Sequence, residues 1–557
     1  MTDLHTLARM YALQNAVKYE GKASAGSVIG QILREHPDLK SRMKELQTEA
    51  AAMVEQVNKL PTDEQRSQLE TLAPELLEKK EHVQKSPFES LGLKQDGKYV
   101  TAFPPEPSKY PHIGHAKAAM VNYELAVWSG GEFCLRYDDT NPELAKEEFY
   151  NILIDNLQWL GISWKRHDIA SDSINMDRIL DIADRLVAEG HCFVDDTTAE
   201  ATNKERYTGE PSKHRNQSVE ETKKRWHHLK AGEVLRLKID PAHKNSTMRD
   251  PTIFRVITTP HIRSGTKYSK WPTYDFETCL MDSIQGVTFR IRSKEFELRT
   301  ELHQYIQRLA EFTPTNYYEM ARFEIEGVET SGRVIREKVN SGEYLGWDDP
   351  RLSTIVALRR RGFTPEAIRS FLLTMGITKN DATLTWDDLY LHNRRVLNER
   401  AKRLFFVEDP VEILVPAAPK KAVHLSFFPH EKKHDRLFTT HERFLVARDD
   451  VISLRDGELY RLMDCVNFTK EGSSYTYVDD SIDTYRAKGK RIMHYVPAEH
   501  DAVRVEILMQ DRTVRQGLGE SRVADLAIGD IIQFERFGFC RLDSVENDVY
   551  KFWFTHK

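Results

Sequence analysis

Two histidines set at the end of a proline-stiffened loop constrain this chain more than any other feature. They close the run Phe103-Pro104-Pro105-Glu106-Pro107-Ser108-Lys109-Tyr110-Pro111-His112-Ile113-Gly114-His115. Each proline fixes its own φ and pushes the residue before it extended, so the loop is stiff. Lys98 to Phe103 reads as a strand before it, and a helical stretch follows from His115 to Trp128, stopped by Gly130-Gly131. His112 and His115 then share one side of a first helical turn. Free N–H groups and partial positive charge at such an end suit phosphate. Gly114 is expected to let a flat ring or a phosphate approach the backbone. The pattern predicts a nucleotide site that stabilises charge building on phosphates during attack. A bare HxxH is commonly an ordinary surface or capping pair; the proline-rich setting favours the functional reading.

A second strand, Phe133-Cys134-Leu135-Arg136-Tyr137, delivers Asp138 and Asp139 at its carboxyl end. Strand, loop, helix, strand is how a parallel doubly wound sheet begins, and ligands sit at the carboxyl ends of its strands. Both polar motifs therefore fall in one crevice. The two aspartates also have a plainer reading, with Asp139 or Thr140 capping a helix that starts near Glu143.

At 557 residues the chain is too long for one core. We expect a multidomain α/β plus β protein. A helical appendage covers 1–95, where Leu7, Met10, Leu13 and Val17 keep helical spacing, Ser27 caps the next segment and a longer helix runs from Leu39 to Leu60. A Rossmann-type doubly wound domain covers 96–172 and 273–325, interrupted at 173–272 by a charged, irregular insert. Residues 326–406 are helical and basic, with Arg359-Arg360-Arg361. Alternating runs near Tyr475, Val503, Ile531 and Tyr550 predict one or two β-barrels over 407–557.

Composition narrows the setting. A 40% hydrophobic and 30% charged chain suits a soluble globular protein. No apolar run approaches the roughly 18 to 20 residues that span a bilayer, and Met1 to Glu20 lacks the order of a signal peptide. Five scattered cysteines without a CxxC pair argue against a bound zinc or a disulfide framework. The expectation is a cytoplasmic protein with no membrane partner. A net charge of -6 leaves nucleic-acid binding open, because RNA contact needs only a local basic face.

The histidine loop resembles the HIGH motif of class I aminoacyl-tRNA synthetases, in the form used by the glutamyl and glutaminyl group. Leu135-Arg136-Tyr137-Asp138-Asp139-Thr140-Asn141-Pro142 resembles that group's LRFDDTNP, and Trp271-Pro272-Thr273-Tyr274-Asp275-Phe276 its YPTYDF. Gly286 to Glu295 resembles GITHVLRGKE of the glutamyl enzymes. The resemblance implies that Asp138 takes the amino acid's α-ammonium, Tyr274 contacts the amino acid and Arg292 holds its side-chain carboxylate, for which a planar guanidinium is suited. A surface salt bridge is the plainer reading of Arg292. Pro105, His112, Gly114, His115, Ser331 and Arg333 are the implied ATP contacts, with His112, His115 and Arg333 catalytic and magnesium arriving on ATP. Gly346 to Arg351 and Arg359, Arg360 and Arg361 match segments that pack on the tRNA. The domains then read as an acceptor-end-binding insert at 173–272, a second-motif loop and stem-contact domain at 326–406, and anticodon-binding barrels at 407–557. Barrels, and Gly489 to Val496, are similar to the archaeal and eukaryotic glutamyl type. The N-terminal helices are left to dock on the rest or on another protein.

Three positions depart from the pattern: Ala102 where an arginine usually precedes the phenylalanine, Lys109 for a glycine, and Gly332 where the second motif, Thr330-Ser331-Gly332-Arg333-Val334, has its lysine. Arg333, Arg336 or Lys109 are the candidates to replace that charge. The implied activity is a glutamate–tRNA ligase acting through a glutamyl-adenylate on tRNA(Glu), with tRNA(Gln) an open second substrate. Thr278, where glutaminyl enzymes carry a histidine, weighs against a glutamine–tRNA ligase. A catalytically silent tRNA-binding relative is the alternative of another class.

Overall fold

The computed structural model describes residues 3–19, 21–73, 76, 86–428, 431, 436–499 and 501–557. They fall into two units, Met1–Ser86 and Pro87–Lys557. In the first, α1 (Leu4–Lys18), α2 (Ala25–Glu35), α3 (Met43–Val57) and α4 (Thr62–Leu72) enclose one apolar core. Leu7 and Leu13 are buried there and Met10 and Val17 half-buried, as helical spacing predicts. Ser24 rather than Ser27 precedes α2, because Ser24 is the last extended residue (φ -120°, ψ 128°) and its N–H is held by Asn15 Oδ1 at 2.9 Å. The pattern from Leu39 to Leu60 is likewise divided, opening in a 3-10 turn (Pro37–Arg42) before α3.

The second unit begins with β1 (Val100–Phe103), α5 (Ile113–Ser129), β2 (Glu132–Tyr137), α6 (Glu147–Trp159) and β3 (Arg166–Ile169), with β1, β2 and β3 parallel in that order. The following segment is ordered rather than irregular. It holds α7 (Ser173–Ala188), β4 (Cys192–Asp195), α8 (Ala199–Thr208), α9 (Val219–His227), β5 (Val234–Leu237), β6 (Thr252–Val256) and β7 (Lys270–Pro272). These four strands pair antiparallel in sequence order. Their buried apolar residues, among them Val194, Leu235 and Phe254, sit on strands of only three to five residues, too short to show an alternation.

The chain returns through α10 (Tyr274–Ile284), β8 (Phe289–Ser293), α11 (Arg299–Leu309) and β9 (Asn316–Met320), with β8 and β9 parallel. Thr288 N–H donates to Val100 O at 2.9 Å, and Val100 N–H donates to Thr288 Oγ1 at 3.0 Å, so β8 meets the free edge of β1. Strand order therefore reverses between β1 and β8, which is where a doubly wound sheet opens a crevice. Buried Asn122 of α5 ties the two halves: its Nδ2 donates to Ile291 O at 2.7 Å and its Oδ1 accepts from Ile291 N–H at 3.0 Å. Each bond contributes about 1 kcal/mol net, whereas an unmade one would cost about 1–3 kcal/mol.

Beyond the sheet lie β10 (Phe323–Ile325), α12 (Gly332–Asn340), α13 (Ile355–Arg361), α14 (Pro365–Thr374), β11 (Ala382–Leu384) and α15 (Trp386–Arg400). Strands dominate after them. One seven-stranded sheet runs in the order Lys402–Leu404, Ile531–Phe534, Gly538–Glu546, Val549–His556, Val503–Leu508, Val514–Gly519 and Phe406–Glu408. A four-stranded sheet orders Ser474–Asp479, Asn467–Glu471, Leu459–Leu462 and Gly489–Met493.

Two buried histidines of this β region are neutral by geometry. His556 Nε2 accepts from Asn393 Nδ2 at 3.0 Å while its Nδ1 donates to Lys557 O at 2.9 Å. His494 Nε2 donates to Phe406 O and its Nδ1 accepts from Arg536 at 3.3 Å. Burial holds each down to about 4. An unfolded histidine titrates near 6.5 and so binds the extra proton below that value. Stability present above about pH 6.5 is therefore lost as pH falls toward about 4, by at most roughly 1.4 kcal/mol per pH unit for each ring. Urea midpoints measured from pH 5 to 6.5 should rise with pH, with a smaller slope in H494Q. Equal slopes would contradict this account.

Candidate active site

Helix α5 begins on its own imidazoles. His112 is the last extended residue (φ -108°, ψ 175°), and its Nδ1 accepts the Gly114 N–H at 3.1 Å. His115 Nδ1 reaches back to accept the His112 N–H at 3.2 Å. With both Nδ1 atoms accepting, each neutral ring carries its proton on Nε2. Burial and Lys109 hold His112 down to about 4, and burial with the His112 ring holds His115 far below its usual value. The helix end therefore offers two neutral N–H donors beside its own free N–H groups. A Cβ on Gly114 would stand 2.9 Å from His112 Cε1. The capping ring gives this position a further reason to be glycine, and Gly114 also lines the cavity described below. From outside, Ile113 N–H donates to Ser353 O and Ile355 N–H to Pro111 O, both at 2.9 Å, and Tyr110 stacks on Trp347.

A cavity of about 790 Å³ opens before this helix end, at the carboxyl ends of β1 and β8. Pro105, His112, Gly114, His115, Asp138, Tyr274, Arg292 and Ser331 all line it. On its far wall buried Arg136 places Asp138. Its Nε donates to Asp138 Oδ1 at 2.5 Å, Nη1 to Asp282 at 2.9 Å and Gln285 at 2.8 Å, and Nη2 to Thr278 Oγ1 at 2.9 Å. Asp138 faces the cavity with both oxygens held by Arg136.

Arg292 is 4% exposed, which excludes a surface salt bridge. Its Nη1 donates to His303 Nδ1 at 2.9 Å and its Nη2 to Thr300 Oγ1 at 2.6 Å, and its guanidinium lies 4.0 Å over the Tyr317 ring. His303 must then be neutral, its Nε2–H donating to Asp275 at 3.0 Å. Burial and Arg292 hold its pKa down to about 4. Arg292 Nε has no protein acceptor among the described residues. Arg290 lies beside it. It donates from Nη1 to Asp282 at 2.8 Å and Thr278 Oγ1 at 3.1 Å, and lines the same cavity. The cavity thus joins two N–H-bearing imidazoles at a helix end to two buried guanidiniums.

Comparison with known proteins gives the family. Residues 98–399 match the model of the class I tRNA synthetases (E and Q), catalytic domain, and residues 401–485 and 492–543 match two models of their anticodon-binding domain. The chain belongs to this family. It is 36% identical to the glutamate–tRNA ligase of Pyrococcus abyssi, over all of both chains. It is 35% identical to that of Methanobrevibacter smithii, again over all of both, and 35% identical to that of Aeropyrum pernix, over all of this chain and 99% of the relative.

Within this class I synthetase several predicted residues lie elsewhere. Asp139 caps no helix. α6 starts at Glu147, and Asp139 instead accepts from Ser171 N–H at 2.8 Å, Ser171 Oγ at 2.7 Å and Tyr150 OH at 2.6 Å. Thr140 lines the cavity. Arg333 stands on α12 with its side chain 84% exposed, outside the cavity lining, because helix α12 begins at Gly332 and turns that side chain to solvent. Arg336 donates to Ser108 O at 3.0 Å. Lys109 enters the cavity instead, its Cδ 2.9 Å from where a Cβ on Gly332 would sit. Arg290 is the site residue that sequence reasoning passed over. Its signal was an arginine where the GITHVLRGKE pattern has an apolar residue.

The basic run divides three ways. Arg361 is buried, donating to Thr555 O at 2.8 Å and Pro350 O at 3.2 Å, so it is not a surface contact for tRNA. Arg360 is held by Asp348 at 2.6 Å and Asp543 at 2.7 Å. Arg359 is exposed and pairs with Asp155 at 2.9 Å. Arg361→Ala should cost about 3 kcal/mol, from orphaned carbonyls and a cavity. Arg359→Ala should cost less than about 1 kcal/mol. Urea unfolding of both variants checks this; equal losses would contradict it.

Proposed function

We propose that the chain is a glutamate–tRNA ligase of archaeal and eukaryotic type. The observation that carries this reading is the pair Arg290 and Arg292, buried and open to the cavity that α5 caps. Asp282 pairs with Arg290 and Glu319 lies 3.4 Å from Arg292, but Arg292 Nε has no acceptor among the described residues, and a substrate carboxylate supplies one. Thr278 supports glutamate over glutamine as well, since its hydroxyl is already engaged by Arg136 and Arg290.

The reaction follows from the two ends of the cavity. The α-carboxylate of glutamate attacks the α-phosphorus of ATP, the bond to the β-phosphate oxygen breaks, and pyrophosphate leaves with its magnesium. A terminal ribose hydroxyl of tRNA then attacks the acyl carbon and AMP departs. His112 and His115 donate Nε2–H bonds to phosphate oxygens whose charge builds in the first step. Pro105 and Ser331 border the nucleotide, Asp138 receives the α-ammonium and Tyr274 packs on the amino acid. The insert at 173–272 takes the acceptor end, Arg359 contributes to a phosphate-facing surface, and the barrels over 407–557 take the anticodon. Acceptance of tRNA(Gln) beside tRNA(Glu) belongs to the same reading.

Lys109 supplies the cation that the second motif lacks. It lies against Gly332 in the cavity wall, and no carboxylate among the described residues lies within ion-pair distance of its Nζ. Burial lowers its pKa. A Cβ on Gly332 would stand 2.9 Å from Lys109 Cδ, and on this reading Gly332 and Lys109 form one exchange. The test is charging of total tRNA with labelled glutamate or glutamine, followed by pyrophosphate exchange in the presence of tRNA. Glutamate should be charged, and Lys109→Met should slow exchange by about 100-fold, as loss of one transition-state donor does. Arg333→Ala should stay within about threefold. Charging with glutamine alone moves the assignment to the glutamine enzyme. No charging by folded protein means a silent relative.

A further inference from the structure

Beside Asp138 the cavity wall holds a second carboxylate that the protein leaves unanswered. Glu277 is 1% exposed and lines the cavity, yet neither of its oxygens has a hydrogen-bond partner among the described residues. Arg136 Nε lies 3.9 Å from its Oε1, too far for a hydrogen bond. Nor does Arg136 have a donor to spare. Its five N–H groups already serve Asp138, Asp282, Gln285 and Thr278. A buried carboxylate without donors is expensive, and such local violations persist where function uses them.

Glu277 stands three residues after Tyr274 on α10, which brings both side chains to one helical face. Asp138 faces the same space but shares its oxygens with Arg136, at 2.5 and 3.3 Å. An ammonium has three N–H donors to place, more than Asp138 has free lone pairs aimed at it. We propose that Glu277 and Asp138 form a two-carboxylate receptor for the substrate's α-ammonium, with Glu277 accepting the hydrogen bonds that no protein group makes. This deepens the ligase reading and rests on it for the identity of the amino acid. Burial and neighbouring Asp138 push the Glu277 carboxyl well above the usual carboxylate range.

The experiment compares the full-length wild type with Glu277→Gln in tRNA charging, with glutarate as a competitor that carries both carboxylates and no ammonium. Glu277→Gln should raise KM for the amino acid about tenfold, the worth of one charge-assisted bond. kcat, and KM for ATP and tRNA, should stay within about threefold. Glutarate should inhibit both proteins equally, and the variant should unfold at no lower urea concentration. An amino-acid KM unchanged in the variant overturns the proposal. So does glutarate binding weakened by the same factor as the amino acid, since that marks a role in pocket shape. If the wild type charges glutamine rather than glutamate, the ligase assignment falls. The same comparison made with glutamine, which has the same α-ammonium, still decides on Glu277.

Discussion

The reciprocal capping of α5 by His112 and His115 is the constraint on which the site depends. It fixes both rings as Nε2–H tautomers, keeps them neutral and aims their donors out of the helix end. That arrangement requires Gly114, because any larger residue would strike the His112 ring. It also requires a stationary loop, which the Ser353 and Pro111 hydrogen bonds and the Tyr110–Trp347 stack provide. The segment from Gly346 to Thr354 therefore serves the nucleotide end at a distance, as a clamp on the loop.

The opposite wall works by charge accounting. Arg136 and Asp282 form a buried framework in which every guanidinium N–H has an acceptor, and this framework orients Asp138 and Arg290. Neutral His303 does the same for Arg292. Buried ion pairs contribute little net stability. Their value here is position, since each presents one uncommitted group to the cavity. Catalysis by alignment of two reactants needs such fixed groups more than a protein nucleophile.

Much of this was legible in the chain. The strand, proline loop, histidine pair and second strand placed the crevice correctly, because each signal is local. What failed was decided by distant partners. Asp139 reads as a helix cap in sequence, but its hydrogen-bond partners are Tyr150 on the next helix and Ser171 beyond it. Arg361 looks like part of a surface run, yet the helical period turns the third arginine inward onto the C-terminal strand. Arg290 and Glu277 carry no motif of their own; Arg290 becomes a candidate by lining the cavity, and Glu277 by its unmet hydrogen bonds. Lys109 and Gly332 are separated by more than two hundred residues; the sequence offered Lys109 as one of three candidate cations, and the structure puts its side chain where a Cβ on Gly332 would meet it.

The most direct test of this account is a crystal structure of the protein with a nonhydrolysable glutamyl-adenylate analogue. The account predicts the phosphate linkage against the Nε2–H groups of His112 and His115, the side-chain carboxylate on Arg290 and Arg292, and the α-ammonium at Asp138. An analogue bound with its carboxylate away from both arginines, or seated outside this cavity, would contradict it.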